Sequence, residues 1–397
     1  MTAIAPNTDL IDRVRRRLTT SGRPASPDAV VDAVRAEPAV EPLSRRMLAR
    51  LGERLYDEIV GTGPLAGLLV DPTVTDVVVN GPGEVWVDRG AGMVRVAVTF
   101  PDGEALRRLA QRLAAASERR LDDASPYVDA RLPDGTRLHA VLSPIAVGGP
   151  YLSLRTFRPR AFTVDELIRC GTLDRDSAEI ATAVVRAGLA YLVSGGTGTG
   201  KTTLLSTLLG LVPTGERIVI VEDATELRPA HPHVVALQAR PSNVEGSGEV
   251  TLRDLVRQAL RMRPDRLVVG ECRGAEIVDF LSALNTGHEG GAGTLHANAA
   301  QDVPARLEAL GLFSGIPREA LHAQVAAGLK VVLHLKRVGG RRQLDEICLL
   351  LPSGQARLVH AVAAWRRPTG PGPAALALAL LLESRGCVVP PVLAGQA

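Results

Sequence analysis

A glycine-rich segment near the middle of the chain carries residues suited to holding a polyphosphate. Gly195, Gly200, Lys201 and Thr202 satisfy the pattern G-x-x-x-x-G-K-[ST]. Glycines let backbone N–H groups turn inward around phosphate oxygens, and a helix that begins after them points its positive end at the same place. A lysine at this position reaches the β- and γ-phosphates, and the next hydroxyl can bind Mg²⁺. The predicted phosphate-binding set is Gly195, Gly196, Thr197, Gly198, Thr199, Gly200, Lys201, Thr202 and Thr203.

The alternative for this segment is a flexible Gly/Thr loop without a ligand. The apolar run 189–193 before the glycines is typical of a buried strand, and the apolar-periodic segment after them is typical of a helix. Because a strand, a turn and a helix follow in the order that a phosphate loop requires, we predict a nucleoside triphosphate site.

Two predicted strands end in acidic residues. Glu271 follows the apolar run 267–270, and Glu222 and Asp223 follow the run 217–221. In open parallel sheets the functional side chains lie at the carboxyl ends of the strands. Glu271 is therefore expected to order Mg²⁺ or polarise the attacking water, with Thr202 as the second metal ligand. The alternative is that acidic residues merely begin loops.

Histidines and arginines supply further candidates. His288 and His296 flank a run of glycines after the Glu271 strand, which suggests a sensor of nucleotide state, although a lone histidine is more often structural. Arg253, Arg257 and Arg261 lie at helical spacing and form either a solvated face or a group that reaches a neighbour's γ-phosphate. Three more arginines are predicted on strands, where solvated surface is the alternative: Arg131, Arg137 and Arg155.

The elements that would position these residues indicate several segments. Residues 1–61 show helical patterns, and residues 62–157 show strands and one helix, which predicts an α+β domain with an antiparallel sheet. Residues 158–173 are predicted to be a linker with one short helix. Residues 174–362 alternate strands and helices, which indicates an α/β domain with a doubly wound parallel sheet. Residues 363–397 are rich in Pro, Gly and Ala and are predicted to be a flexible tail.

Composition narrows the class of protein. The chain has 397 residues, 46% hydrophobic and 22% charged, as in ordinary globular proteins, and its net charge of +3 does not favour nucleic acid as a partner. Its four cysteines form no C-x-x-C pair, which fits a reducing compartment and argues against a zinc site. No secretory signal is visible, and the longest late apolar stretch, nine residues, is too short to span a membrane.

Taken together, the motifs resemble those of the ATPases that power type II and type IV secretion and pilus assembly. The resemblance is greatest to the tight-adherence (Tad/Flp) pilus branch, the TadA/CpaF-like proteins. It covers roughly residues 60–350. The segments that carry it are the phosphate loop 194–203, the Asp box 221–227, the Walker B equivalent 263–274, the His box 286–298 and the segments 129–135 and 240–246.

Membership implies a RecA-like C-terminal ATPase domain, an N-terminal α/β domain and a homo-hexamer, with ATP and Mg²⁺ bound between the two domains and a neighbouring subunit. It implies catalytic roles for Lys201, Glu222, Glu271, His288 and His296. It also implies phosphate contacts or ring contacts for Arg131, Arg137, Arg155 and Arg240. The sequence departs from the pattern at Ala224-Thr225, which the branch more often has as Thr-Ala, and it carries no four-cysteine zinc module.

The function expected from this resemblance is Mg-dependent ATP hydrolysis by a hexameric motor that powers pilus assembly or protein secretion. Such a motor would work in the cytoplasm, at the inner face of the cell membrane, with membrane platform proteins as partners. Two alternatives remain open at this point: a conjugal DNA-transfer motor, and a nucleotide-binding regulator with little turnover.

Overall fold

The computed structural model describes residues 8–21, 26–37, 44–59, 61–71, 73–90, 92–156, 161–240, 248–354 and 358–394. The chain forms two compact units, Met1–Arg158 and Pro159–Ala397. Each unit contains two apolar cores of its own.

The first unit begins with three helices: α1 (Thr8–Ser21), α2 (Pro27–Arg35) and α3 (Arg45–Ile59). Ser26 caps α2 by accepting a hydrogen bond from the N–H of Ala29, and Pro27 occupies the first helical position. The helices pack through side chains spaced three and four residues apart, as the sequence predicts. The buried residues of this helical core include Leu10, Val14, Leu18, Val30, Val34, Leu48, Leu51 and Leu55.

A six-stranded antiparallel sheet forms the rest of the first unit, after the short helix α4 (Ala66–Val70). Its strands are β1 (Asp76–Val79), β2 (Val85–Asp88), β3 (Met93–Val96), β4 (Tyr127–Arg131), β5 (Arg137–Val141) and β6 (Tyr151–Arg155). The spatial order is β3-β2-β1-β6-β5-β4. Helix α5 (Gly103–Ala116) buries Leu106, Leu109 and Leu113 in the same core. The predicted hairpin of β1 and β2 is confirmed, as is the antiparallel α+β class.

The second unit is built around a nine-stranded sheet with the order β15-β14-β13-β12-β7-β11-β10-β8-β9. The strands are β7 (Tyr191–Gly195), β8 (Ile218–Glu222), β9 (Val234–Gln238), β10 (Arg266–Val269), β11 (Ala292–Leu295), β12 (Val331–Val338), β13 (Arg341–Ser353), β14 (Leu358–Arg366) and β15 (Gly370–Pro371). Strands β12, β7, β11, β10, β8 and β9 run parallel, and β13 to β15 continue antiparallel at one side.

Two apolar cores lie against this sheet, so that its central strands are buried throughout. This explains why those strands are continuous apolar runs in the sequence rather than alternating ones. The helices are α6 (Val164–Arg169), α7 (Arg175–Arg186), α8 (Lys201–Leu209), α9 (Leu252–Ala259), α10 (Glu276–Leu284), α11 (Val303–Leu312), α12 (Arg318–Gly328), α13 (Ala375–Ser384) and α14 (Pro391–Ala394). The predicted α/β class with a phosphate-loop domain is confirmed.

Two predictions about segment boundaries need correction. In the predicted linker 158–173, Leu167 and Leu173 are buried in the core of the second unit, so its described part belongs to that domain. In the predicted flexible tail 363–397, α13 buries Leu378 and Leu382 in the same core. The apolar stretch that is too short to span a membrane is a core helix. None of the helices in the described ranges combines the length and the apolar character needed to cross a bilayer.

Candidate active site

The loop between β7 and α8 has a backbone that favours glycine. Gly195, Gly198 and Gly200 have φ values of 150°, 71° and 96°. A β-carbon on Gly195 would lie 2.5 Å from the Leu335 carbonyl oxygen and 2.7 Å from the Thr199 Oγ1. The loop therefore turns sharply against the neighbouring strand, and its glycine spacing follows from that geometry.

Helix α8 begins at Lys201, immediately after this turn. Its N-cap residue is Gly200, which has no side chain to accept hydrogen bonds from the first-turn N–H groups. Those groups and the positive end of the helix are directed at the loop, an arrangement that favours an anion. The residues present therefore fit a bound phosphate chain.

Lys201 is buried, with 7% of its surface exposed. Its Nζ donates hydrogen bonds to the carbonyl oxygens of Gly195 (3.0 Å) and Gly196 (2.9 Å), and it lies 3.4 Å from the Nδ1 of His296. A buried cation requires such compensation. The ammonium group is thus held inside the loop, at the place where the phosphates of a bound nucleotide would lie.

Glu271, which follows β10, is in contact with the groups around Lys201. The Nε2 of His296 lies 2.8 Å from the Glu271 Oε1, and Arg273 donates a hydrogen bond to the Oε2. Burial raises the pKa of Glu271, but the hydrogen bond from Arg273 and the charges of Arg273, His296 and Lys201 outweigh it, so that its pKa is lowered. Glu271 is therefore an ionised carboxylate at neutral pH.

His296, which follows β11, bridges Lys201 and Glu271. Burial and then the charge of Lys201 lower the pKa of His296, against the opposing charge of Glu271. A neutral ring with its proton on Nε2 places that nitrogen beside the Glu271 carboxylate and leaves Nδ1 to accept from Lys201. His296 can therefore connect the phosphate loop to the carboxylate without adding a charge.

Glu222 lies at the end of β8, beside β10, with Val221 and Val269 paired in the sheet. A β-carbon on Gly270 would lie 2.5 Å from the Glu222 Cγ, so the two strand ends are in close contact. The buried Glu222 carboxylate accepts hydrogen bonds from the N–H groups of Glu226 (3.0 Å) and Leu227 (3.1 Å). These two hydrogen bonds fix the backbone conformation of the Asp box, residues 221–227.

The departure at Ala224-Thr225 leaves the Asp-box turn hydrogen-bonded. Thr225 donates its hydroxyl to the Oε1 of Gln238 on β9 (2.8 Å). The Glu226 backbone is held by Glu222, as described above. The turn that contains Glu226 is therefore hydrogen-bonded to β8 through Glu222 and to β9 through Gln238.

The sequence interpretation assigned no role to two residues that shape the Glu271 region. Arg273 contacts Glu271 and lies 3.8 Å from the Oδ2 of Asp223. Glu276, at the start of α10, accepts hydrogen bonds from the N–H groups of Arg273 (2.6 Å) and Gly274 (2.7 Å). Arg273 follows Glu271 by two residues within the same motif, and that position is the signal that could have identified it.

A third missed residue, His334, is buried at β12. Its Nδ1 lies 2.9 Å from the Oγ of Ser194, the residue that precedes the loop. Burial is the main cause that lowers the pKa of His334. Nothing in the local sequence distinguishes this histidine from the apolar strand around it, because the contact joins residues far apart in the chain.

The structure separates the two His-box histidines within the chain, so the predicted role of His288 as a nucleotide sensor stays a prediction. The intervening residues 292–295 form the buried strand β11, with Ala292 beside Tyr191 and Leu295 beside Ser194. His288 precedes this strand and His296 follows it, so they lie at opposite edges of the sheet. Gly293 is required for packing rather than for a loop, because a β-carbon there would lie 3.0 Å from the Val269 carbonyl oxygen.

The predicted arginines fall into different environments. Arg131, Arg137 and Arg155 occupy directly paired positions on β4, β5 and β6, and Arg155 lies 3.6 Å from Asp76. Like charges placed opposite one another are unfavourable without an anion or acidic partner. All three lie in the first unit.

Arg240 lies in the second unit, exposed after the edge strand β9, and donates to the Gly248 carbonyl oxygen (2.7 Å). Most of the segment 240–246 lies outside the described residues. Arg253 and Arg257 both pair with Asp279 on α10, so this part of the predicted stripe is held within the chain.

Within the described residues, no group of three or more His, Cys, Asp and Glu side chains is arranged to hold a metal. Mg²⁺ is often bound by one or two protein oxygens together with substrate phosphates, so a complete protein cage is not needed. Thr202, in the first turn of α8, and Glu271 remain the predicted ligands.

A family model described as type II/IV secretion system protein matches residues 58–359. A putative conjugal transfer protein of Mycobacterium tuberculosis is 54% identical over 338 residues, covering 83% of this chain and 96% of that protein. The type IV secretion system protein PtlH of Bordetella pertussis is 34% identical over 307 residues, covering 69% and 89%.

Among solved structures, the ATPase DotB of Legionella pneumophila matches with a TM-score of 0.51 at 21% identity, covering 72% of this chain and 79% of that one. That likeness concerns the fold. The chain therefore belongs to the type II/IV secretion system protein family and is an ATPase of the phosphate-loop class.

Proposed function

We propose that the protein hydrolyses Mg-ATP at the carboxyl edge of its nine-stranded sheet and converts hydrolysis into movement within a secretion or pilus machine. The observation that supports this proposal is the continuous set of contacts from Lys201 through His296 to Glu271. It joins a phosphate-binding cation to an ionised carboxylate.

The side chains divide the work of phosphoryl transfer to water, which depends on positioning and charge stabilisation. Lys201 exchanges its carbonyl partners for the β- and γ-phosphates, and the α8 N-terminus binds the same oxygens. The ionised Glu271 orients and polarises the attacking water. Thr202 and Glu271 would hold Mg²⁺, which would supply neutralisation of the phosphate charge.

Arg273 and His296 act on Glu271 rather than on the phosphates. Arg273 keeps the pKa of Glu271 low and fixes one oxygen, and His296 fixes the other. Since His296 also contacts Lys201, removal of the γ-phosphate changes the surroundings of both residues at once. This gives His296 the role of a sensor of nucleotide state, while Glu222 supports the site through the Asp-box turn.

The experiment that tests hydrolysis compares the full-length protein with its Lys201→Ala variant, measuring phosphate release from Mg-ATP in single-turnover and steady-state assays. We expect turnover in the wild type and its loss in the variant. Retained activity in Lys201→Ala would contradict the assignment. ATP binding without single-turnover phosphate release in the wild type would instead support a nucleotide-binding regulator.

For the assembly, we propose a homo-hexamer at the inner face of the cell membrane, acting on membrane platform proteins. Arg131, Arg137, Arg155 and Arg240 would then contact phosphates or a neighbouring subunit. The paired positions of the first three, which concentrate positive charge, support this role. Mass photometry with and without ATP tests the hexamer, and a monomer under both conditions would contradict it.

The tight-adherence pilus branch remains our preferred subfamily, on the motifs of the Asp box, Walker B equivalent and His box. A conjugal DNA-transfer motor is the second candidate, because a relative named as a putative conjugal transfer protein is 54% identical. The near-neutral net charge of +3 favours the pilus reading. Strong stimulation of the ATPase by single- or double-stranded DNA would favour conjugation instead.

A further inference from the structure

The hairpin of β12 and β13 contacts the phosphate loop at both ends of the loop. Leu335 on β12 pairs with Gly195, and its carbonyl oxygen lies 2.5 Å from the place a β-carbon would take on that glycine. The Cδ of Arg342 on β13 lies 3.4 Å from the corresponding place on Gly200. Gly200 is the last residue before α8, so the Arg342 stem packs against the turn that leads into the helix.

The tip of this hairpin is strongly basic. Lys336 and Arg337 on β12 face Gln343 and Arg342 on β13 in the paired register. Lys336 is held by Asp345, with 2.8 Å between Nζ and Oδ2. Arg337 and Arg342 lie opposite each other in the paired register, so two guanidinium groups belong to this end of the hairpin.

The order of strands gives the direction of a bound nucleotide. Glu271 follows β10 and His296 follows β11, on one side of β7, whereas β12 and β13 lie on the other side. A γ-phosphate beside Glu271 therefore leaves the α-phosphate and the nucleoside to extend toward β12 and β13. The side of the site that carries Glu271 would bind Mg²⁺ and water. The basic hairpin of β12 and β13 would face the nucleoside end of the nucleotide.

We propose that Arg342 is a nucleotide-binding residue whose guanidinium contacts the nucleoside end of the bound nucleotide, beyond the phosphate chain. This inference rests on the proposed nucleotide site and adds a residue outside its four motifs. Arginine suits this position because its planar guanidinium can donate to ribose or base acceptors or stack on the base, while its stem covers apolar surface.

The chain offers a matched control in the neighbouring residue. Arg341 is exposed and lies next to Arg342 on β13, where successive side chains point to opposite faces of the sheet. Arg341→Ala removes the same charge from the same hairpin without removing the contact to Gly200. Arg342→Lys keeps a charge and most of the stem.

The experiment is isothermal titration calorimetry of the full-length protein with ADP and, separately, with inorganic tripolyphosphate. For Arg342→Ala we expect the Kd of ADP to rise about tenfold, while Arg341→Ala stays within about twofold of the wild type. Tripolyphosphate, which lacks the nucleoside end, should bind all variants with similar Kd. Arg342→Lys should recover only part of the affinity for ADP, because it keeps the charge and most of the stem but not the planar guanidinium.

Three results would overturn this assignment. They are equal ADP affinities in Arg342→Ala and Arg341→Ala, an equal loss of tripolyphosphate binding in Arg342→Ala, and no recovery in Arg342→Lys. A wild-type protein that binds neither ADP nor tripolyphosphate would remove the nucleotide site itself. The outcome that would contradict the role of Arg342 therefore differs measurably from the outcome that would contradict the nucleotide site.

Discussion

The two edges of the nine-stranded sheet carry similar residue types but use them differently. At the carboxyl edge, Lys201, His296 and Glu271 contact one another around the phosphate loop. At the amino edge, Arg266 is buried, pairs with Glu216 and donates to the Gly290 carbonyl oxygen (3.3 Å). The charges at the carboxyl edge face a loop that fits an anion, whereas those at the amino edge satisfy one another.

This difference shows that the position of a side chain along a parallel strand decides its role more than its chemical type does. The functional end is the one where chain turns, helix N-termini and strand ends point toward a ligand. At the other end, a buried charge requires a permanent partner and contributes to stability. Each of the following predictions tests one side of this comparison against the other.

The largest expected effect is the difference between substituting Glu271 at the carboxyl edge and substituting Glu216 at the amino edge. Glu271→Gln should lower kcat about 10³-fold, since a general base contributes roughly 10²–10⁴-fold, and should leave ATP binding intact. Glu216→Gln should leave kcat within about twofold but cost about 2 kcal/mol of unfolding free energy, because Arg266 loses its charged hydrogen-bond partner. Phosphate-release kinetics and urea unfolding of both variants provide the measurement. A large kcat loss in Glu216→Gln would remove the distinction between the edges.

The two histidines form the next pair. His296→Gln should lower kcat about 10²-fold through misplacement of Glu271, whereas His288→Gln should leave kcat nearly unchanged. Steady-state assays at saturating Mg-ATP, with melting curves to exclude unfolding, compare the two. Equal losses would mean that His288 reaches the site in a state other than the one described.

Arg273 provides a smaller effect with a distinct signature. Removing its guanidinium in Arg273→Ala should lower kcat about tenfold, from the loss of one charge-assisted hydrogen bond. It should also raise the pKa of Glu271, because that hydrogen bond and charge now hold the pKa low. Activity that needs the ionised carboxylate is lost as pH falls through this pKa, so the acidic limb of the kcat–pH profile should move to higher pH.

The control for Arg273 is Arg257→Ala. Arg257 is an exposed arginine that pairs with Asp279 away from Glu271. Its pH profile should match that of the wild type. An unmoved acidic limb in Arg273→Ala would contradict the proposed action of Arg273 on Glu271.

Local sequence was sufficient for the phosphate loop but not for its surroundings. Short sequence segments predict three features of the site. These are the glycines with positive φ, the start of a helix at Lys201 and the acidic residues that follow the strands. The glycine run before His296 gives no local sign of strand β11, because Gly293 is explained only by its tight packing against Val269 and Leu192. The contacts of His334 and Arg342 join residues more than 100 positions apart, which no local pattern records.

The prediction of a flexible C-terminal tail fails for a related reason. Its composition of Pro, Gly and Ala is typical of mobile chain, but its apolar side chains complete a core whose other half lies far away in the sequence. Leu378 and Leu382 look unremarkable until α13 is placed against the sheet. Burial that depends on distant partners could not be predicted from composition.

The smallest expected effect concerns an ion pair that joins this segment to the amino edge. Arg385, which follows α13, pairs with Glu289 beside His288, and both side chains are more than a third exposed. Exposed pairs contribute about 0–1 kcal/mol, so Arg385→Ala should change the unfolding free energy by less than about 1 kcal/mol and should not change kcat. Leu382→Ala, which removes a fully buried side chain of α13, should cost about 2–5 kcal/mol. Because both changes lie in the same C-terminal segment, urea unfolding of the two variants separates packing from charge. An Arg385→Ala loss as large as that of Leu382→Ala would mean that the amino edge depends on exposed charge rather than on buried partners.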